Sequence, residues 1–242
     1  MKLSIILPSY ESAETLRSQL PPFMKWLRAR HPASEVIVVD DGSGDGGATE
    51  RVARENDCVF IGLEENLGKG GAVRAGMRAA KGAFRIFTDA DIPFEYEAIT
   101  NFLHYLEDKE FHLAVGDRSL PESKYFSEIN GLRKMGSNVF TFFVGRFVTT
   151  GLFDTQCGLK GFSANAADGL FSVARLNGFA FDVELLYIAL KRNYDIKRLP
   201  VSFRSNHKQS SVSLTRAPGI LIDLFCIKWN HILGRYSPSA DL

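Results

Sequence analysis

From Leu3 to Gly116 short apolar runs alternate with segments of helical period, and that alternation admits few folds. Strands are expected at Leu3–Leu7, Val36–Val39, Val59–Leu63, Phe84–Thr88 and Leu113–Gly116. Helices are expected at Thr15–Arg30, Ala48–Glu55, Gly70–Ala80 and Ala98–Asp108, the first disturbed in its middle by Pro21-Pro22. Such repetition implies an α/β fold, a mostly parallel, Rossmann-like sheet flanked by helices on both faces. Ligands of these sheets lie beyond the carboxyl ends of the strands.

Two of those strand ends are acidic. Phe84-Arg-Ile-Phe-Thr88 runs into Asp89-Ala90-Asp91, and Glu35-Val-Ile-Val-Val39 runs into Asp40-Asp41-Gly42-Ser43. Carboxylates one residue apart at a strand end can reach toward one hard cation, and Mg²⁺ or Mn²⁺ is held through oxygens shared with substrate phosphates. Together the two ends suggest a nucleotide bound through a metal; the competing reading is that the acids start turns or cap helices. Asp41 can accept hydrogen bonds from a base or ribose, or the glycine-rich loop after it can cap the next helix. Asn66-Leu-Gly68-Lys69-Gly70-Gly71-Ala72 opens a helix with glycines and a lysine, which suits a phosphate, but it is neither a P-loop nor GxGxxG.

The second half is less regular. Ile129–Val148 reads as a long helix with an aromatic later part, Leu159–Phe162 as a strand and Phe181–Lys191 as a helix. Ile196–Phe203 reads as a strand interrupted at Pro200, and Ile220–Leu233 as a C-terminal amphipathic helix. The 242 residues, 45% apolar, fit one large α/β domain with a short appended segment. A net charge of +1 conceals a basic stretch: Lys191, Arg192, Lys197, Arg198, Arg204, Lys208 and Arg216 are set against Asp195 alone. It can be a solvated face, or meet phosphates or an anionic membrane surface. No nucleic-acid motif accompanies it, so nucleic acid is not an expected partner. Cys58, Cys157 and Cys226, scattered and odd in number, indicate reduced thiols of a cytoplasmic protein. The apolar run after Lys2 is too short for a signal peptide and meets Pro8, and no window reaches the ~18 apolar residues of a spanning helix. Any membrane contact is therefore expected to be peripheral, at the cytoplasmic face.

Pro8-Ser-Tyr10-Glu11, Val38-Val-Asp40-Asp41-Gly42-Ser43, Asn66-Leu-Gly68-Lys69-Gly70-Gly71-Ala72 and Thr88-Asp89-Ala90-Asp91 occur in an order that resembles family 2 glycosyltransferases, nucleotide-sugar-dependent enzymes of the GT-A fold. Asp154-Thr-Gln-Cys157-Gly158-Leu-Lys160-Gly-Phe162 and Phe179-Ala-Phe181-Asp182-Val-Glu184-Leu-Leu-Tyr187-Ile-Ala189 look like dolichyl-phosphate β-glucosyltransferases and their bacterial relatives. The resemblance spans residues 1–205, a GT-A domain with a nucleotide-binding half (1–117) and an acceptor half (118–205), followed by a mobile loop and amphipathic helix (206–242).

It implies that Pro8, Tyr10, Glu11 and Asp41 line a uridine or guanosine pocket, with Gly68, Lys69, Asp89 and Ala90 beside it. Asp89 and Asp91 would form the Asp-X-Asp motif, at least one of them on the Mg²⁺ or Mn²⁺ that bridges the diphosphate. Arg118, Arg133 and Ser137 match positions that grip an acceptor phosphate, and Arg204 and Lys208 match a loop that contacts the diphosphate. The implied reaction is an inverting transfer of a hexose, glucose from UDP-glucose foremost, to a polyprenyl phosphate. A phosphate acceptor needs no general base; a glycan hydroxyl does, and Asp154, Asp182 or Glu184 could supply it. Cys157, without a His partner, reads as packing. Transfer to a glycan and a non-catalytic nucleotide-sugar-binding subunit are the alternatives, the second disfavoured by the intact Asp89-Ala90-Asp91. A lipid acceptor would call for surface docking by Phe140–Phe147, the basic stretch and the C-terminal helix; packing on the core or on a second subunit is the competing use of those elements. The sequence does not fix the oligomeric state.

Overall fold

Seven strands form one sheet in the order β3-β2-β1-β4-β6-β5-β7. The computed structural model describes residues 2–124, 154–178, 180–204 and 217–237, with 217–221 as backbone only. Its elements are β1 (Leu3–Ser9), α1 (Ala13–Arg30), β2 (Ser34–Asp40), α2 (Ala48–Glu55), β3 (Val59–Gly62), α3 (Lys69–Ala79) and β4 (Phe84–Phe87). There follow α4 (Glu97–Glu107), β5 (Leu113–Asp117), β6 (Lys160–Ser163), α5 (Ala164–Phe171), α6 (Phe181–Lys191), β7 (Ile196–Pro200) and α7 (Ala217–Ile232). The expected helix Ile129–Val148 lies outside the described residues.

Alternate strand residues feed two cores. Ile6, Val39, Phe87 and Val115 face α3, α5, α6 and α7 in one layer. Ile5, Leu7, Val38 and Ile86 face α1, α2 and α4 in the other. This is the three-layer arrangement that the strand–helix alternation implied. Pro21 and Pro22 do not break α1. Both lie on its exposed face, where the carbonyls of Arg17 and Ser18 that lose a partner also sit, while Leu16, Leu20, Phe23, Met24 and Leu27 bury the other face. Helix α5 was not expected from the sequence; its Asn165, Asp168 and Gly169 are poor helix formers, but the Ala166 N–H donates to Ser163 Oγ at its start.

β1 to β4 pair in parallel, β5 pairs in parallel with β7, and β6 runs against both of its neighbours. The reversal has a positional effect. β6 begins at the rim where the other strands end, so Asp154–Lys160 approach the same edge as Asp40 and Asp89.

Candidate active site at the carboxyl rim

The ends of β1 and β2 are tied together by a short polar chain. Ser43 Oγ donates to Asp40 Oδ1 (2.5 Å) and accepts from the Glu11 N–H (2.8 Å), while Glu11 Oε1 accepts from the Gly44 N–H (2.7 Å). Gly42 turns at φ +73°, and a Cβ there would come within 2.7 Å of the Glu65 carbonyl carbon, so the loop requires glycine. Asp45 completes the loop by accepting from the Gly47, Ala48 and Thr49 N–H groups and the Thr49 hydroxyl, which hold its carboxyl below the usual aspartate range. Helix capping therefore falls to Asp45. Pro8 is half-buried and Tyr10 exposed beside this loop.

Asp41 and the glycine-rich segment are bonded to one another and to a distant loop. Both Asp41 oxygens accept backbone N–H groups, from Leu67 (2.9 Å) and Gly68 (2.8 Å). The Gly70 N–H donates to the Asn177 carbonyl (2.7 Å). A Cβ on Gly68 would lie 2.7 Å from that same carbonyl oxygen, and one on Gly70 would lie 2.7 Å from the Phe181 Cβ. The glycines thus allow close packing on residues 176–178, and the N–H groups of Gly68 and Gly70 are spent within the protein, not offered to a phosphate.

Lys69 leaves this packed turn and meets Asp89, Nζ to Oδ1 at 2.5 Å. Burial lowers the lysine's proton affinity, but Asp89 and Asp182 more than offset it, so Lys69 stays firmly protonated. Beside them Lys160 Nζ pairs with Asp182 Oδ1 at 2.7 Å, with side chains 0% and 5% exposed, and donates to the Cys157 carbonyl (2.6 Å). Burial pushes the Asp182 carboxyl up, opposed by Lys160 and then Lys69. Asp89, Lys69, Asp182 and Lys160 therefore form one row of alternating charge. Sequence reasoning assigned Lys160 no role, although a lysine within an apolar strand run is itself a signal of a buried partner.

Asp89 and Asp91 leave β4 through a turn closed by the Ile92 N–H to the Asp89 carbonyl (2.9 Å). Ile92, β-branched and buried, sits at φ +41°, a conformation that costs about 1–3 kcal/mol. Arg204 holds that turn from outside: it donates to the Ile92 carbonyl (3.3 Å) and Gln19 (2.9 Å) and lies 4.6 Å over the Tyr96 ring. Its guanidinium, expected on a diphosphate, is committed to the loop. On the far side of Asp89, a Cβ on Gly158 would come within 2.2 Å of Oδ2, so the glycine makes room for the carboxylate. Asp89 in this cleared position, with Asp91 two residues on, offers the oxygen ligands that suit Mg²⁺ or Mn²⁺. No group of three or more His, Cys, Asp or Glu is placed to hold a metal among the described residues, so further ligands would come from diphosphate and water.

The three acids considered as general bases are all engaged. Asp154 takes the Arg118 N–H (2.6 Å), Nε (2.9 Å) and a terminal nitrogen (2.6 Å) in a forked pair. Asp182 faces Lys160. Glu184 accepts from the Arg175 and Leu176 N–H groups (2.9 and 2.8 Å) and from the Tyr236 hydroxyl (2.6 Å), clamping the Asn177 loop to α7's far end. Glu184 is an anchor, not a base. Burial raises its carboxyl above the ordinary 4.5, against those hydrogen bonds. A proton held more tightly in the folded state gives stability that is full below that value and fades as pH rises through the folded pKa. Glu184→Gln is expected to flatten this loss; thermal midpoints of both proteins from about pH 4 to about pH 8 check it, and parallel curves would rule it out.

Burial lifts the Cys157 thiol to about 12, consistent with packing. Cys58, Cys157 and Cys226 are all free. Arg133, Ser137 and Lys208 lie outside the described residues. No described helix is long and apolar enough to cross a membrane.

Several known proteins are similar. The chain is 29% identical over 246 residues to the dolichyl-phosphate β-glucosyltransferase of Dictyostelium discoideum, covering 96% of this chain and 75% of that one. It is 35% identical to the human protein of the same name over 78% of this chain, spanning 63% of that relative's length. Among solved structures, glucosyl-3-phosphoglycerate synthase from Mycobacterium tuberculosis, in complex with Mn²⁺, UDP-glucose and phosphoglyceric acid, superposes with a TM-score of 0.68 at 16% identity, over 99% of this chain and 81% of that one. At that identity the likeness establishes the fold, GT-A. Residues 4–171 match the family described as Glycosyl transferase family 2, so the chain belongs to that family of glycosyltransferases.

Proposed function

We propose that the protein moves a hexose, glucose from UDP-glucose foremost, onto a polyprenyl phosphate, with inversion at the anomeric carbon. The observation that carries the acceptor choice is the state of the three candidate bases: Asp154 and Asp182 are neutralised by Arg118 and Lys160, and Glu184 is a buried clamp. A hydroxyl acceptor needs a carboxylate to take its proton; a phosphate acceptor is already an anion. The names of the relatives support the same acceptor class.

On the donor side, Tyr10 and the Glu11–Ser43 loop frame the base and ribose, with Pro8 and Ala90 as apolar walls. Asp89 and Asp91 are the residues that would hold Mg²⁺ or Mn²⁺. When bound, such a cation supplies positive charge to the departing nucleoside diphosphate. Lys69 keeps a fixed positive charge at the same rim, and Arg118 presents a guanidinium that Asp154 holds in place for the acceptor phosphate.

Incubation with labelled UDP-glucose and either undecaprenyl phosphate or an oligosaccharide tests the choice. A chloroform-soluble product labile to mild acid is expected; an acid-stable product would exclude the sugar-phospholipid. Arg118→Lys loses the planar fork, and is expected to raise acceptor KM about tenfold or more with donor KM little changed. Equal effects on both substrates would place Arg118 elsewhere.

A further inference from the structure

We propose that α7 is a docking helix that lies flat on an anionic phospholipid surface. Among the described residues, five of the eight exposed large hydrophobic side chains belong to this helix and its end: Ile222, Phe225, Trp229, Ile232 and Leu233, each 48–73% exposed. Spacing of about 100° per residue gathers all five into one stripe. The opposite side is satisfied: Ile227 is fully buried, Asn230 is buried, and Leu224 packs on the core. The Phe225 and Trp229 rings stack outward at 6.1 Å. An apolar stripe of this kind, left in water on an otherwise polar surface, marks an interaction site.

Charge selects the occupant. Lys228 and Lys191 both reach over the Tyr187 ring, at 4.8 and 5.7 Å, on the flank of the stripe, and Arg235 is exposed just beyond it. Asp223 is the single acid in the helix. A second copy of the same face would set Lys228, Lys191 and Arg235 against their like, with no acid on the stripe, since Asp223 turns toward Gly178. An anionic headgroup layer meets all of them, while the aromatic and aliphatic side chains enter the acyl boundary. The helix also lies close to the catalytic rim, because Asp223 comes within 3.8 Å of where a side chain on Gly178 would start, next to the Asn177 carbonyl that receives Gly70. The docking face stands on its own geometry, and the lipid acceptor reading only gives it a purpose.

The test uses the full chain and vesicles without any polyprenyl phosphate, so its failure is distinct from failure of the acceptor reading. Sedimentation with phosphatidylcholine vesicles containing phosphatidylglycerol is expected to carry the protein down, and pure phosphatidylcholine much less of it. Phe225→Ser with Trp229→Ser is expected to reduce the bound fraction at least about tenfold. In a Trp26→Phe background, Trp229 emission is expected to shift blue on vesicle addition and to be quenched by brominated acyl chains. Absent binding, binding unchanged by the double substitution, or Trp229 shielded from acrylamide before vesicles are added would each overturn the proposal. In the last case, sedimentation equilibrium would say whether a second copy is the cover.

Discussion

Replacing Asp91 with alanine is expected to abolish metal-dependent transfer while leaving the fold intact. The rim offers Asp89 and Asp91 as the acidic residues after β4, and Asp89 already shares its carboxylate with Lys69. If these residues hold the cation as proposed, removing Asp91 would take away cation affinity and, with it, charge that would steady the diphosphate as it leaves. Loss of a single preorganised electrostatic contact costs about 10²–10³ in kcat, roughly 3–4 kcal/mol, and loss of the cation would add to that. The half-buried carboxylate is not part of either core, so unfolding should change little. Turnover of UDP-glucose titrated with Mn²⁺, beside far-ultraviolet circular dichroism, separates the two effects. Activity within about twofold of the parent would remove the metal assignment.

Lys160→Met is expected to be the most damaging single substitution for stability. It leaves buried Asp182 without its direct partner and with only Lys69 as a positive neighbour, and breaking a buried pair in this way costs about 3–5 kcal/mol. The double substitution Lys160→Met with Asp182→Leu should recover most of that loss, since apolar replacement of a whole buried pair is often neutral. Urea midpoints for the three variants check this. A single variant within about 1 kcal/mol of the parent would show that the pair is of no structural consequence. The double variant should remain poor at transfer even when stable, because Lys69 then loses one of the two carboxylates that stabilise its charge.

Among the described residues the sheet was legible because the apolar runs match strands and the amphipathic runs helices, and the acidic rim because two of those strands end in acids. What the sequence hid is how the rim residues pair with one another. Arg118 and Asp154 read separately as an acceptor grip and a base, yet they form one forked pair between the residue that follows β5 and the approach to β6. Gly68 and Gly70 read as a phosphate cradle because local pattern cannot reveal Asn177, distant in sequence, against their backbone. The resemblance sets Arg204 on a loop that contacts the diphosphate; the Phe94–Phe203 bridge, which the sequence does not show, brings it onto the Ile92 turn. In each case the contact is made by a residue distant in sequence, which a local pattern does not reveal.

The reversed strand has a consequence for how such an enzyme can change. Because β5 and β6 are antiparallel neighbours, with Val115 opposite Lys160 and the Gly116 N–H on the Leu159 carbonyl, the chain leaves the sheet and re-enters it at almost the same place. Arg118 and Asp154 join the two ends of that excursion beside the sheet. Lengthening or exchanging such an excursion adds little closure entropy and disturbs no strand order. On the acceptor reading proposed above, exchange of the segment between Asp117 and Lys160 would alter acceptor preference while β1 to β4 and their rim residues stay as they are.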